Sequence, residues 1–375
     1  MRSAEAIKEA LEASIAAGEV VGAIGLVTGA EETLALVTAG YQNLEEEIPM
    51  REDALFCIAS MTKPITGIAG MMMLEEGKLS LDDSLAKHLP EFSELKDSNG
   101  EPVTVTLRQC LSHTSGMSDL SLEEEDGCRQ LSDLVSLIVS KPVNFLPGTE
   151  WCYCQTGINM TAHVVERLSG IDFPTFVRGR IFEPLGMKDT TFYPDESQIS
   201  RIALVYGRTE EGGWEKGDHD WVTHGRLETS DRYPKANAGL FSTAADYARF
   251  CRSLLNQGAG LVSPESVREF CSVQTGELET GFTPGNGWGL GCAVMKQPQG
   301  VTAMLSSGTY GHGGLYGTQG WIDPVEKRAY ILMVQRSDFE NADESKVREE
   351  FQRAAAKACR EKGAPTGQED VIDYG

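Results

Sequence analysis

The stretch Ala59-Ser60-Met61-Thr62-Lys63 marks a change of pattern that determines how this chain is organised. A short apolar run precedes it, and the pattern from residue 61 to about residue 77 is helical. On a helix, positions i and i+3 share one face with Cβ atoms about 5–6 Å apart, so Lys63 can reach the Ser60 hydroxyl. The helix N-terminus also presents unpaired N–H groups and a positive dipole end to Ser60. The stretch therefore predicts a nucleophilic serine with an adjacent base and half of an oxyanion hole.

Taken alone, S-x-x-K is a weak motif, because serine is a favoured helix N-cap and lysine is a good helix former. Two further motifs follow it in the chain. The first is Trp151-Cys152-Tyr153-Cys154-Gln155, which precedes a helical run, and the second is Tyr310-Gly311-His312-Gly313-Gly314-Leu315, which precedes a predicted strand. The order of the three motifs is far more specific than any one of them.

This order resembles the serine β-lactamase, DD-peptidase and related esterase family, whose motifs are S-x-x-K, Y-x-N and K-T-G or a variant such as H-G-G. The resemblance is to the branch that holds class C β-lactamases and family VIII carboxylesterases. It extends from about residue 5 to about residue 358 and includes three supporting stretches: Leu107 to Gly116, Pro184-Leu185-Gly186-Met187 and Ala238 to Thr243. The resemblance implies a serine β-lactamase-like fold and an acyl-enzyme mechanism.

The resemblance also assigns roles to individual residues. Ser60 would attack a carbonyl carbon, while Lys63 and Tyr153 would share its proton and deliver one to the leaving group. Free lysine and tyrosine both have pKa values near 10, so one of the two must be depressed for base catalysis, and the sequence does not say which. The backbone N–H groups of Ser60 and Leu315 would form the oxyanion hole, with Leu315 on a strand entered through Gly313-Gly314. These glycines would let substrate approach the strand closely.

Two substrate-binding positions depart from the family pattern. His312 stands where the family has lysine, and a histidine that is mostly neutral at pH 7 deprives a substrate carboxylate of a permanent cation. Gln155 stands where the family has asparagine, and it holds its amide one methylene further out. Both changes favour small carboxylic esters or atypical amides over β-lactams, as in the carboxylesterase branch of the family. The alternatives are a β-lactamase, a D-amino-acid peptidase or amidase, and a catalytically silent protein that binds penicillins or acyl groups.

The hydrophobic pattern predicts an α/β (α+β) fold in which an antiparallel sheet is flanked by helices and an all-helical subdomain is inserted. The first helix and the closing helix would pack on the same sheet, which both ends of the chain would build. The predicted strands cover residues 20–27, 34–41, 301–307, 315–322 and 328–334. The predicted organisation is a discontinuous sheet region (1–80 and 205–360), a mainly helical region (81–204) and a polar tail (363–375), with the active site at the junction.

The composition of the chain indicates which kinds of partner and which cellular compartment to expect. Acidic residues outnumber basic ones by 56 to 33, giving a formal charge of −23, so nucleic acids and anionic membranes are not expected partners. No run of apolar residues is long enough to span a bilayer, and no signal peptide is visible. Nine cysteines without close pairs favour free thiols in a reducing compartment. We therefore expect a cytoplasmic enzyme, or a periplasmic one if a signal was removed, with a small ester or amide substrate.

Other chemically reactive residues have simpler structural interpretations. His113 lies in a loop-like run after a helix, which favours a hydrogen-bonding role over that of a second base. Met71-Met72-Met73 is interpreted as core filler on the Ser60 helix. The sequence suggests neither a cofactor nor a metal site, and it leaves the oligomeric state open.

Overall fold

An eight-stranded antiparallel sheet forms the centre of the protein in the computed structural model, which describes residues 2–360. The predicted polar tail (363–375) lies outside the described residues. The strand order is β3-β2-β1-β12-β11-β10-β9-β8. The strands of this sheet are β1 (Gly22–Gly29), β2 (Thr33–Asn43), β3 (Ile48–Pro49), β8 (Asn286–Trp288), β9 (Ala293–Met295), β10 (Tyr310–Gly313), β11 (Gln319–Asp323) and β12 (Arg328–Met333). Two small two-stranded sheets pair β4 (Phe56–Cys57) with β7 (Phe241–Ser242) and β5 (Tyr206–Arg208) with β6 (Trp214–Lys216).

The sheet joins the two ends of the chain, as the sequence predicts. Strand β1 pairs with β12 in a register that sets Ile24 opposite Met333. Neighbouring residues of each strand point to opposite faces, so Leu26 packs into one apolar layer and Val27 into the other. Because both faces are buried, a slip of one residue would exchange the two layers.

Helices cover both faces of the sheet. On one face lie α1 (Arg2–Ala16) and α14 (Lys346–Arg360), whose apolar side chains are buried against the strands. On the other face lie α2 (Lys63–Glu75) and α12 (Ala244–Leu255). The predicted closing-helix face is confirmed, because Val347, Phe351 and Ala355 are all buried.

Most of the shorter helices lie between α2 and residue 200, as expected for a mainly helical region, although the division at residues 80 and 205 stays a prediction. These helices are α3 (Leu85–His88), α4 (Leu107–Leu111), α5 (Leu122–Glu125), α6 (Asp133–Val139), α7 (Gln155–Ser169), α8 (Phe173–Val177), α9 (Glu183–Leu185) and α10 (Glu196–Ile199). Two more follow, α11 (Asp220–Thr223) and α13 (Pro264–Cys271).

Helix α2 runs through the interior. Its residues from Lys63 to Met73 are all buried, which confirms the three consecutive methionines as core filler. Gly67 allows this close packing, since a Cβ there would overlap the Leu290 carbonyl oxygen. Within the described residues, no helix is long and apolar enough to cross a membrane.

Two predictions about the last third of the chain are wrong. Residues 301–307 form no strand, because local polar groups satisfy the backbone: Gln299 and Thr302 cap each other around a short 3-10 turn, and the Ser306 N–H donates to Asp323. Leu315 lies in the loop between β10 and β11 and not on a strand. That loop closes through the Gly314 N–H, which donates to the Thr318 carbonyl at 2.7 Å.

Candidate active site

Ser60 lies at the turn between strand β4 and helix α2. The preceding Ala59 has φ 43°, in the left-handed region that non-glycine residues seldom adopt. A 3-10 turn then spans Ala59–Thr62 and leads directly into α2, with Pro64 in the first turn of the helix. Proline is tolerated there because the first N–H groups of a helix have no partner within it. The unusual backbone turn sets Ser60 at the start of the buried helix, where the sequence predicts it.

The Lys63 side chain lies behind Ser60 and is fully buried. Its Nζ donates to Ser60 Oγ at 3.0 Å, to Gln155 Oε1 at 2.8 Å and to the Asn237 carbonyl at 3.0 Å. Three acceptors match the three protons of an ammonium group. An amine that loses one proton could accept the Ser60 hydroxyl proton in return, with the other two bonds holding it in place.

The surroundings of Lys63 favour its neutral form. Burial lowers the pKa of the amine to about 7, even though the negative charge of Asp119 acts in the opposite direction. The pKa of the Tyr153 phenol moves the other way, well above its usual value, chiefly because of burial. A hydrogen bond with Ser60 partly offsets that rise, and the charges of Asp343 and Asp119 add to it. Of the two groups, only the lysine has a pKa close to neutral pH.

Tyr153 is held in place by the loop that contains His113. The His113 carbonyl accepts from the Cys152 N–H at 3.0 Å, and His113 Nδ1 accepts from the Cys154 N–H at 3.1 Å. The His113 and Tyr153 rings lie 4.5 Å apart, centroid to centroid. Burial and the charge of Lys63 lower the pKa of His113 well below its usual value. His113 therefore has the structural hydrogen-bonding role that the sequence predicts.

The Tyr153 phenol contacts the other predicted site residues. Lys63 Nζ lies 4.5 Å from the centre of its ring, and His312 Nε2 lies 3.3 Å from its oxygen. His312 Nδ1 is 2.6 Å from the Gly313 carbonyl, so it is the protonated nitrogen and Nε2 accepts from Tyr153. Burial, reinforced by the charge of Lys63, lowers the pKa of His312 to about 3. His312 is thus a neutral acceptor for the phenol.

Gln155 uses its carbonyl oxygen inside the site. Gln155 Oε1 accepts from Lys63 Nζ and also from Asn237 Nδ2, both at 2.8 Å. No partner for its amide nitrogen occurs in the described part of the chain, and Gln155 lines the cavity above Ser60. Its free amide hydrogens are therefore available to a substrate carbonyl.

Asp119 anchors the segment that holds Tyr153 and Gln155. Its Oδ1 accepts from the Gln155 N–H at 2.7 Å and from the Thr156 N–H at 2.9 Å. These N–H groups begin helix α7, whose own N-cap residue, Cys154, makes no capping bond with its side chain. A carboxylate at a helix N-terminus is stabilising, because it meets unpaired donors and the positive dipole end. Asp119 therefore fixes Gln155 against Lys63 from outside the helix.

The two glycines after His312 have a packing reason that the sequence did not reveal. A Cβ on Gly313 would overlap the Asp343 carboxylate, and one on Gly314 would overlap Thr318 Oγ1. In the described residues the next N–H group, that of Leu315, donates to no protein acceptor. It remains the candidate partner of the Ser60 N–H for an oxyanion, although Leu315 lies in a loop.

A cavity of about 480 Å³ opens above Ser60. Predicted and unpredicted residues share its lining: Ser60, Tyr153, Gln155, Trp221, Phe282, His312, Gly313, Gly314, Leu315, Phe339, Glu340, Asn341, Ala342 and Asp343. Every predicted site residue therefore lies on this cavity except Lys63, which lies beneath it.

Sequence reasoning missed the aromatic walls Trp221, Phe282 and Phe339, and the polar groups of Asp119 and Asn237. Only Asn237 had a nearby signal, since it directly precedes the supporting stretch that begins at Ala238. Trp221 lies on the single-turn helix α11, and Phe282 and Phe339 lie in loops, so no periodicity in the sequence marks these walls.

No cluster of three or more His, Cys, Asp or Glu side chains with metal-binding geometry occurs among the described residues. Eight of the nine cysteines are described as free thiols, and Cys152 is the exposed one. The side chain of Cys359 is not among those described.

The sheet with helices on both faces is the serine β-lactamase-like fold predicted from the sequence. A β-lactamase family model matches residues 7–355, and the chain belongs to the β-lactamase family.

Among its relatives, the esterase EstB of Burkholderia gladioli is 29% identical over 340 residues, which cover 84% of this chain and 85% of EstB. A lovastatin esterase of Penicillium rubens is 31% identical over 281 residues, covering 68% of this chain and 69% of that enzyme. Among solved structures, EstCE1, a hydrolase with promiscuous acyltransferase activity, superimposes with a TM-score of 0.83 at 24% identity and covers 95% of this chain and 98% of its own.

Proposed function

We propose that this protein is a serine hydrolase that cleaves small carboxylic esters through an acyl-enzyme at Ser60. The observation that supports this most directly is the buried Lys63 amine 3.0 Å from Ser60 Oγ, at the base of an open cavity. Two curated relatives with esterase names support the ester as substrate.

In the proposed reaction, neutral Lys63 takes the Ser60 proton as Oγ attacks the ester carbonyl carbon. The developing oxyanion is stabilised by the N–H groups of Ser60 and Leu315. Tyr153, whose pKa is raised, passes a proton to the leaving alkoxide and recovers one through Lys63. In the second half of the reaction, a water molecule attacks the acyl carbonyl carbon. The same groups accept the proton of the water and return a proton to Ser60 Oγ as it leaves. His312 accepts the phenol hydrogen bond between these steps and keeps Tyr153 oriented.

The pH dependence follows from the two opposite pKa shifts. Because the base form of Lys63 is the neutral amine, kcat/KM should rise with pH through about 7 and then level off. His312, with a pKa of about 3, is already neutral throughout this range and cannot produce the rise. The measurement is kcat/KM for a neutral p-nitrophenyl ester between about pH 5 and pH 9.

A phenolate base would give a different profile. Since the pKa of Tyr153 lies well above its usual value, activity would keep rising beyond pH 9. A rate that is constant across the whole range would contradict both assignments.

The role of Asp119 is testable with a matched pair of variants. In Asp119→Asn the oxygen that caps α7 remains but the charge that favours protonated Lys63 is lost, so the rise in kcat/KM should move to lower pH. The ratio of the rate at pH 6 to that at pH 8 should increase roughly 2- to 5-fold. Asp119→Ala loses the cap as well and should lower stability by about 1 kcal/mol. If both variants keep the native pH profile, Asp119 only caps the helix.

The alternative functions, a β-lactamase and a silent acyl-binding protein, differ from an esterase in the substrates that they turn over. Side-by-side assays of a short-chain p-nitrophenyl ester and a chromogenic cephalosporin separate them. We expect the ester to turn over faster, because neutral His312 offers no cation to a β-lactam carboxylate. Faster cephalosporin turnover would indicate a β-lactamase, and a stoichiometric burst without turnover would indicate a silent acyl-binding protein.

A further inference from the structure

The lining of the active-site cavity has an unusual balance of charge. Two carboxylates, those of Glu340 and Asp343, line it, and among the described residues no lysine or arginine does. The histidine in the lining, His312, is neutral because burial and Lys63 disfavour its charged form. A bound carboxylate would therefore meet two like charges and no cation on the cavity wall.

Four cations lie close to residues that line the cavity. Arg336 stacks 4.7 Å from the Phe339 ring centre and pairs with Asp338 at 2.8 Å and with Glu19 at 3.7 Å. Lys235, which stacks 4.9 Å from the Trp221 ring centre, is buried and pairs with Glu125 at 2.7 Å. Arg348 is fully buried behind Asp343, 3.8 Å from its Oδ1. Lys63 lies beneath Ser60, and its pKa of about 7 leaves it largely neutral at pH 8. None of the four lines the cavity itself.

The carboxylates of Glu340 and Asp343 both have oxygen atoms that accept no hydrogen bond from the described residues. Glu340 is exposed and has no hydrogen-bond or ion-pair partner within residues 2–360. Asp343 Oδ1 accepts from Gln319 Nε2 at 3.0 Å, whereas its Oδ2 has no partner in the same range. The Asp343 charge reaches the reacting groups, since it contributes to the raised pKa of Tyr153. The Asp343 carboxylate thus lies close enough to affect the Tyr153 phenol, and its Oδ2 is free to contact a ligand.

Aromatic side chains complete the walls. Phe282 packs edge-on against Tyr153 with ring centres 4.8 Å apart, and Trp221 and Phe339 line the rest of the cavity. Aromatic faces attract ammonium groups, and a quaternary ammonium needs no hydrogen-bond acceptor. The overall charge of −23 would also increase the encounter rate with cationic substrates.

We propose that the cavity selects esters that carry an ammonium group, which would lie between the aromatic walls and the carboxylates of Glu340 and Asp343. This inference rests on the proposed ester hydrolysis and specifies its substrate class. Esters with a carboxylate would be the poorest substrates of the same size.

The test uses two matched pairs of substrates at low ionic strength and pH 8. One pair is acetylthiocholine and its neutral isostere with carbon in place of nitrogen, which varies the alcohol part. The other is a betaine thioester and its carbon isostere, which varies the acyl part. In at least one pair, kcat/KM should be about 10-fold higher for the cationic ester, and the preference should shrink as salt is added.

Variants of Glu340 test whether its carboxylate causes the preference for cationic esters. Glu340→Gln should reduce the cationic preference several-fold, and Glu340→Lys should abolish it. Glu344→Gln is the matched control, because it removes the same charge from an exposed residue four positions away that does not line the cavity. It should leave the preference unchanged.

The outcomes separate this inference from the function on which it rests. Hydrolysis of all four esters without a preference for charge would overturn the inference alone. If none of the esters is hydrolysed and Ser60 does not react with a fluorophosphonate, the proposed function fails and the inference fails with it. A preference that persists in Glu340→Lys would show that the carboxylates do not cause it.

Discussion

Ser60→Ala is expected to abolish labelling by a fluorophosphonate probe and to reduce ester turnover by about 10⁵- to 10⁶-fold. The loss is large because no other group can form the acyl intermediate, and the Lys63 amine then has no hydroxyl to deprotonate at 3.0 Å. Residual hydrolysis would come only from binding and the oxyanion donors. Mass spectrometry of the labelled protein gives the site directly, and turnover of a p-nitrophenyl ester gives the rate.

A control serine separates this chemistry from a general effect of substitution. Ser200→Ala removes an exposed hydroxyl that donates only to the Ser197 carbonyl, far from the cavity, and should keep full activity. The melting temperature of Ser60→Ala should stay close to that of the native protein. Stoichiometric labelling of Ser60→Ala at another serine would refute the assignment of the nucleophile.

Lys63→Ala is expected to reduce acylation by about 10²- to 10⁴-fold, the range that general bases contribute. The variant leaves space where the side chain lay, bordered by the acceptors Gln155 Oε1 and the Asn237 carbonyl. A small primary amine added to the solution should enter and restore part of the rate. The restored rate should follow the concentration of the free base and not that of the protonated amine.

Lys63→Arg distinguishes a base from a permanent cation. A guanidinium stays protonated at every pH at which proteins are stable, so it can lower the phenol pKa but cannot accept the Ser60 proton. We expect this variant to be as inactive as Lys63→Ala and not to respond to added amine. Near-native activity in Lys63→Arg would mean that the lysine acts only through its charge and that Tyr153 is the base.

Two kinds of signal in the sequence predicted the site: local spacing for Ser60 and Lys63, and the order of the three family motifs for Tyr153, Gln155 and His312. Ser60 and Lys63 follow from helical spacing, and His113 follows from its place after a helix. The sheet follows from short β-prone segments separated by turn residues at both ends of the chain. These features depend on neighbours close in sequence or on burial.

The walls of the cavity could not be predicted in the same way. Trp221 lies on the single-turn helix α11, whereas Phe282 and Phe339 lie in two separate loops. The three residues meet only in the folded chain, and no periodicity marks them. The strand character of residues 315–322 predicts a strand that includes Leu315, yet the loop that the Gly314 N–H closes delays the strand until residue 319. The proposal that Lys63 and not Tyr153 is the base rests on the burial of both groups, which is a tertiary property.

The pairing of β1 with β12 has a consequence for how the protein is made. Ile24 and Met333 are separated by nearly the whole chain, so the centre of the sheet cannot close during synthesis until β12 has left the ribosome. Until then the β1–β2 hairpin has an open edge that can pair with another chain. Contacts of such long sequence separation slow folding, because loop closure must precede the energy gained from pairing. Chaperone dependence during synthesis, and aggregation of nascent chains stalled before residue 328, are therefore expected of this fold.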